Sequence, residues 1–303
     1  MTKGIVGLDI GSGFVKAVDG QKRVIFPSIY AFRHGSIWEN DELVEGVGEE
    51  ALEIAKHPNS IRFYPVVDGK PQHQAWTKLA EEALKRLKIN SPIHLVTGVP
   101  FDTARDDRDR IKEDLKQKLS LEEIAIYPQA LGTLFDLDID SSTIINIGHG
   151  TCEILAIENL KILSGTSGSL ANDFLISSLT TYVQSKFGFK PTLEAACNFI
   201  INNTAGISAP NQTVSRKELQ VPLETVTNQL VEKVCYDTRF LLSQLPSNLE
   251  CIRHIVLSGG GALVRGVREG VQKTLSCKIL VPPDPIFSNV NGFYKMGVKL
   301  FGE

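Results

Sequence analysis

The sequence predicts a duplicated α/β fold of two lobes, each opening with three β-strands and continuing with alternating helices and strands. Two observations carry that expectation. The order of elements begins at Gly4 and starts again at Ser142, so the repeat is about half of the 303-residue chain. A repeat of that size describes a duplicated domain and not a solenoid. Two glycine-tipped segments also stand about 135 residues apart, Gly7-Leu8-Asp9-Ile10-Gly11-Ser12-Gly13-Phe14-Val15-Lys16 and Asn146-Ile147-Gly148-His149-Gly150-Thr151-Cys152-Glu153. Each joins two apolar runs through glycines set around a small polar residue.

In the first half, Gly4–Ile10, Phe14–Asp19 and Arg23–Pro27 read as strands, the last two joined by an Asp19-Gly20 turn. Residues 31–74 are irregular and rich in Gly, Pro and charge, which suggests a small inserted subdomain. Trp76, Leu79, Ala80, Ala83, Leu84 and Leu87 recur at helical spacing over 75–88. Ile93–Gly98 follows as a buried strand, Thr103–Leu119 as a helix, Ile124–Tyr127 as a strand and Gln129–Phe135 as a short helix. In the second half, Thr143–Ile147, Cys152–Glu158 and Leu160–Leu163 are strands. Helices are expected near 169–186, 192–203 and 222–244, the last starting at Pro222. After the strand Ile252–Leu257, Gly259-Gly260-Gly261 opens a helix at about 262–275. A strand at Lys278–Val281 and a helix over Asn289–Phe301 complete the chain. The implied domains are 1–142 with 286–303, and 143–285, the latter with a subsidiary region over about 187–244.

Hydrophobic residues at 42% and charged residues at 22% are those of a soluble globular protein. A formal net charge of −3 gives no electrostatic ground for broad nucleic-acid or membrane binding. The five scattered cysteines form no CxxC pair, and read as reduced thiols of a cytoplasmic protein. No apolar stretch approaches the roughly 20 residues of a membrane helix, and Lys3 leads straight into a strand without a signal peptide.

A strand that turns on glycines and returns presents several N–H groups at its tip, a nest for phosphate oxygens. In the first segment Gly11, Ser12 and Gly13 form that tip. Asp9 ends the incoming strand, where a carboxylate can order Mg²⁺-bound water. Lys16 lies on the returning strand within reach of a β- or γ-phosphate. Taken alone, this is equally a tight hairpin with an incidental acid and a solvated lysine. The second tip, Gly148, His149, Gly150 and Thr151, at matching positions favours a phosphate clamp. Ser258 leads into a third glycine turn, Gly259, Gly260, Gly261 and Ala262, against which a purine or ribose can lie. By itself a triple glycine is often only a loop.

The arrangement resembles the actin-like ATPase superfamily of actins, sugar kinases, heat-shock chaperones and plasmid-partition filaments. Five segments occur in the family's order: Asp9 to Lys16, Gln129-Ala130-Leu131-Gly132, Asn146 to Glu153, Ser258 to Ala262 and Val290 to Gly297. Within it, the tail Ser288 to Gly297 and the Val44 to Ala51 segment are similar to the ParM/StbA branch and related archaeal proteins. The resemblance implies a bilobed ribonuclease-H-like (actin-type) fold with a nucleotide cleft between lobes. It also implies bound ATP or GTP with Mg²⁺, Asp9 toward the metal, and Gln129 orienting an attacking water. Self-association into filaments follows, with an adaptor linking the polymer to DNA, in plasmid segregation or cytoskeletal organisation.

Two departures from the family stand out. Asn146 replaces an aspartate and His149 a small or acidic residue. Asparagine can bond a metal-bound water but cannot accept a proton, so slow hydrolysis is expected. His149 either donates to a γ-phosphate with pH-dependent effect or is a satisfied loop histidine. Asn198 and Asn202 either approach adenine or face solvent. The mixed-charge run Arg105 to Asp114 reads as a solvated helix face. Two alternative functions stay open, a nucleotide-binding scaffold with little turnover and a phosphotransferase or polyphosphatase on the same lobes.

Overall fold

The computed structural model describes residues 4–34, 43–67, 70–89, 92–202, 204–210 and 212–302. Lys3, and residues 35–42 and 68–69 of the segment read as an insertion, lie outside the described residues. The chain divides into two compact units, Met1–Asp138 with Phe287–Glu303, and Ile139–Ile286.

Unit 1 opens with β1 (Gly4–Ile10), β2 (Phe14–Val18) and β3 (Arg23–Pro27). The Asp19-Gly20 turn joins the last two. Asp19 Oδ1 accepts from the N–H groups of Gln21 and Lys22 at 2.8 and 2.6 Å, and Gly20 takes φ +85°. The segment read as irregular carries ordered elements: β4 (Tyr30–His34), β5 (Leu43–Val47), α1 (Glu49–Ile54), β6 (Ile61–Phe63), β7 (Val66–Val67) and β8 (Lys70–Pro71). β4 lies between β5 and β6, and Ile29, Ala31, Ala51 and Ile54 form a small core beneath. Then follow α2 (His73–Leu87), β9 (Ile93–Val99), α3 (Arg105–Lys118), β10 (Glu123–Pro128) and α4 (Leu131–Asp136).

Unit 2 runs β11 (Ser142–Ile147), β12 (Cys152–Glu158), β13 (Lys161–Gly168), α5 (Asn172–Phe187), α6 (Leu193–Ile201), β14 (Gly206–Ala209), β15 (Gln212–Ser215), α7 (Arg216–Ser243), β16 (Ile255–Ser258), α8 (Val267–Leu275) and β17 (Ile279–Leu280). The chain returns to unit 1 as α9 (Ser288–Phe301).

The duplication is visible in the sheets. In unit 1 the strand order is β3-β2-β1-β9-β10, and in unit 2 it is β13-β12-β11-β16-β17. Each is a three-stranded antiparallel meander extended by two parallel strands. Alternation along β1 assigns its two faces. Val6, Leu8 and Ile10 join Trp76, Leu79 and Ala83 of α2 in the main core. Gly7 faces α9, so closely that a Cβ there would meet the Val290 carbonyl at 2.4 Å. Asp9 shares the parity of Gly7 and points to that second face.

Three local expectations are corrected. α7 begins at Arg216 and not at Pro222, because Ser215 accepts from the Glu218 N–H while the Glu218 carboxylate accepts from the Ser215 N–H. This capping box outweighs the proline, which sits inside the helix. The hairpin β14–β15 precedes it, where no strands were expected. The triple glycine does not open a long helix. It enters a short 3-10 turn, Gly260–Leu263, and α8 starts only at Val267 after Gly266 at φ +88°.

Candidate functional site

In unit 1 the first tip is a closed turn, the Gly11 N–H donating to the Phe14 carbonyl at 3.1 Å. Asp9 and Lys16 are direct cross-strand partners, so their side chains share one face. Lys16 Nζ lies 2.5 Å from Asp9 Oδ2. Gln129 follows β10, and its backbone N–H donates to the Val99 carbonyl at 3.0 Å. Its side-chain Nε2 donates to Asp9 Oδ1 at 3.2 Å. Both carboxylate oxygens are therefore engaged, and Asp9 is only 3% exposed.

Asp9 and Gln129 meet across the intervening strand β9 because Gly98 stands there. A Cβ on Gly98 would fall 2.9 Å from Gln129 Cα and 2.4 Å from Phe293 Cζ. Gly98 was not singled out from the sequence. Its role becomes visible only in the strand register, which pairs it with Asp9.

In unit 2 the second tip closes in the same way, the Gly148 N–H donating to the Thr151 carbonyl at 2.8 Å. Gly148 and Thr151 thus repeat Gly11 and Phe14, as the spacing indicated. The tip is also tied to α5. The Asn172 N–H donates to the Gly148 carbonyl at 3.3 Å and the Asp173 N–H to the His149 carbonyl at 2.8 Å. Burial holds the His149 imidazole below its ordinary value of 6.5, opposed by the Asp173 carboxylate.

Asn146 pairs with Glu153 in the register position that Asp9 and Lys16 occupy in unit 1. Asn146 Oδ1 accepts from Ser258 Oγ at 3.2 Å. Glu153 is 1% exposed, a carboxylate drawn almost fully out of water. Sequence reading treated it as the end of a motif. Counting five residues on from the first glycine of each tip, to Lys16 and Glu153, would have singled it out.

The glycine turn after β16 packs on β11. A Cβ at Gly259, where φ is +78°, would meet the Ile147 carbonyl at 2.4 Å, and one at Gly261 would meet Ile147 Cβ at 2.4 Å. Their missing side chains are thus accounted for by β11. Gly260 instead faces Asn172, a Cβ there lying 3.2 Å from Asn172 Nδ2. Asn172 Oδ1 is buried and makes no hydrogen bond. The Ala262 N–H closes the turn onto the Gly259 carbonyl at 3.1 Å. Asn198 and Asn202 bond each other, Nδ2 of Asn202 donating to Oδ1 of Asn198 at 2.8 Å.

Among the described residues no cluster of three or more His, Cys, Asp or Glu could hold a metal. Within unit 1 the single buried carboxylate of Asp9 fits an ion that is held chiefly by phosphate and water, as Mg²⁺ is. Among the described residues no helix is long and apolar enough to cross a membrane.

Residues 7–132 match the N-terminal domain of actin like proteins. Across the whole chain the same architecture is found in solved structures. The fold is actin-like. MreB 5 of Spiroplasma citri bound to AMPPNP is 20% identical over 96% of this chain and 95% of its own, with a TM-score of 0.79. The same protein bound to ADP aligns at a TM-score of 0.78. MamK in a double helical filament is 17% identical over 98% of this chain and 99% of its own, at 0.81. At such identities the likeness establishes the actin-like fold. No curated protein sequence matches the chain.

Proposed function

We propose that this protein is a nucleotide-dependent, filament-forming ATPase in which the glycine tip of each unit is a phosphate-binding loop for a Mg²⁺-nucleotide, ATP or GTP. The observation that carries the reading is the identical closure of the two turns. The bonds Gly11 to Phe14 and Gly148 to Thr151 occupy the same place in the same strand order. Turn propensity alone does not place two phosphate nests at equivalent points of two sheets. The solved MreB 5 structures with AMPPNP and ADP, and the MamK filament, support nucleotide binding and self-association.

Each residue has a defined task in this reading. Backbone N–H groups of Ser12 and Gly13, and of Gly150 and Thr151, receive phosphate oxygens, and Lys16 adds a cation to the first set. The second tip presents the neutral His149, which donates one N–H without carrying charge. Gly259 to Ala262 shape the floor for the nucleoside, and the orphaned Oδ1 of Asn172 gains a partner there. When bound, Mg²⁺ would supply neutralisation of the charge developing on the phosphate oxygens. Asp9 and Asn146 are the residues that would orient water for such an ion, and Gln129 the one that would position the attacking water. The proton of that water needs an acceptor, which the Asn146 amide cannot be. We assign that task to Glu153, which is buried and pairs with Asn146 in register.

The test is ATP- and Mg²⁺-dependent pelleting with negative-stain microscopy. Filaments with nucleotide are expected, and monodisperse particles under every nucleotide condition would sink the proposal. Asn146 supports a second reading, a nucleotide-binding scaffold with little turnover. Single-turnover hydrolysis by the Asn146→Asp variant separates the two. A rise of about 10–100-fold is expected if a lost carboxylate limits the reaction.

A plasmid-partition role with a DNA-linking adaptor rests on the tail signature. The tail residues Gly292 and Gly297 pack α9 against Gly132 and Ile5, so they speak for the fold before the cargo. Co-sedimentation of the polymer with DNA, with and without a candidate adaptor, decides it.

A further inference from the structure

The small sheet β5-β4-β6 of unit 1 is apolar on both faces. Ile29 and Ala31 turn into the small core with Ala51 and Ile54. Tyr30 and Phe32 flank Ala31 and so stand on the opposite face, where Phe63 of β6 is the direct partner of Tyr30. An antiparallel sheet with one face on a core is expected to turn polar residues outward. Here three half-buried aromatic rings take those positions. The Phe63 ring lies 5.8 Å from both Tyr30 and Phe32, at interplanar angles of 25° and 22°. Between these rings and α2 runs a groove of about 580 Å³, within the roughly 300–1,000 Å³ of small-molecule sites.

α2 forms the second wall with its polar stripe. Gln74, Thr77, Lys78 and Glu81 line the groove at i, i+3, i+4 and i+7, while Trp76, Leu79 and Ala83 go to the main core. Thr77 is only 8% exposed, and its Oγ1 is buried without a hydrogen-bond partner. A hydroxyl left in that state is costly until a partner meets it. Lys78 Nζ is held 5.5 Å from the centroid of the Tyr30 ring and 2.8 Å from Glu45 Oε1. The Tyr30 hydroxyl donates to the other oxygen of that carboxylate at 2.6 Å, so ring and ammonium are fixed relative to each other. An ammonium has three donors, and Glu45 does not exhaust them. Lys118, exposed at the end of α3, also lines the groove. The two lysines outnumber the one lining carboxylate, Glu81.

We propose that this groove is a binding site for a flat aromatic carboxylate. The ligand's ring stacks against Phe32 and Phe63 and removes their exposed surface from water. Its carboxylate meets Lys118 and the remaining donors of Lys78, and the Thr77 hydroxyl gains the partner it lacks. Glu81, one turn along α2 from Thr77, opposes an anion and holds the affinity down. That opposition gives the proposal a sign, since a cationic ligand would be helped by the same residue. The site lies wholly within unit 1 and does not depend on the nucleotide reading above.

Calorimetric titration of the intact protein with naphthoate tests the site. Saturable binding is expected, weakening as salt is raised. Phe32→Ala should lower the affinity about 10-fold. Thr77→Val keeps the side-chain shape and should lower it about 3–10-fold without lowering the thermal midpoint. Lys118→Met should weaken binding about 2–5-fold, and Glu81→Gln should tighten it by a similar factor. Cyclohexanecarboxylate, which has no π-face, and naphthamide, which has no charge, should each bind less well than naphthoate. Should Phe32→Ala fail to fold, Thr77→Val and Glu81→Gln decide the matter. Absence of saturable binding, equal affinity of the parent and Thr77→Val proteins, or weaker binding by Glu81→Gln would overturn the site. Displacement of bound naphthoate by AMPPNP would place it with the nucleotide instead, and would overturn the proposal as well.

Discussion

Replacing Gly292 by alanine tests the closest packing in unit 1. α9 crosses α4 where Gly292 faces Gly132, and the two backbones touch. A Cβ built on Gly292 would lie 1.7 Å from the Gly132 carbonyl oxygen and 2.5 Å from its carbon, while real Cβ atoms stay beyond 3.0 Å. The helices would have to part by more than about 1 Å, and close-packed interiors resist such a shift. The neighbouring bond from Thr133 Oγ1 to Asn289 Oδ1, 2.7 Å and buried, would be stretched with them. Overpacking costs about 1–3 kcal/mol and occasionally more. Both colliding groups here are backbone, so a loss of about 3 kcal/mol is expected. Helix propensity pulls the other way, since Gly to Ala gains about 1 kcal/mol in a helix interior. The sign of the change is thus decisive. The net loss of about 2 kcal/mol lowers the midpoint by roughly 4–8 °C in thermal unfolding followed by circular dichroism. Gly168→Ala, with nothing within 4 Å of the added carbon, serves as the control and should stay within about 0.5 kcal/mol of the parent. An unchanged or raised midpoint for Gly292→Ala would refute the close crossing. Since α4 begins two residues after Gln129, the variant should also weaken nucleotide binding.

Other outcomes are equally specific. Glu153→Gln should retain AMPPNP binding but lower single-turnover hydrolysis at least 100-fold, a loss typical of a removed general base; unchanged hydrolysis would clear Glu153 of that role. His149 is held below 6.5 by burial, so the unfolded chain binds the proton more readily, and stability should fall as pH drops from 6.5 toward the lower folded value. His149→Gln should flatten that part of a denaturant-midpoint profile, and an unaltered slope would exclude the residue as its source. Ser215→Ala removes the cap of α7 and should cost about 1 kcal/mol in urea unfolding, whereas a neutral result would mean the box does not set the helix start. The Cys152 thiol, buried and pushed up to about 12, should resist iodoacetamide at pH 8 in the folded protein while the partly exposed Cys197 and Cys277 react first.

How much of this was legible in the sequence follows from the range of the interactions involved. The two tips were legible because glycine spacing and flanking apolar runs are local, and a hairpin needs nothing else to be recognised. The duplication was legible for the same reason, as one order of elements occurring twice. Glu153 was not singled out, because its importance lies in register with Asn146 across a strand pair. Gly98, and the packing role of Gly132, stayed silent because a missing side chain gains meaning only from what packs into its place. At α7 the sequence held the correct signal, Ser215 with Glu218, but Pro222 was given more weight than a proline within the first two turns carries. The triple glycine was read as space for a ligand, and two of its three positions are instead filled by Ile147.

The attachment of the second tip to α5 has a mechanical consequence. Two carbonyls of the second glycine tip are capped by the first amides of a 16-residue helix, a rod about 24 Å long. Such a rod does not bend to absorb a small change at its root. A tilt of a few degrees at Gly148 and His149 would be delivered undiminished at Phe187, as a displacement of about 1–2 Å. A change confined to a few atoms of the loop, such as the loss of a phosphate in the proposed function, would thereby gain leverage over a distant part of the same unit.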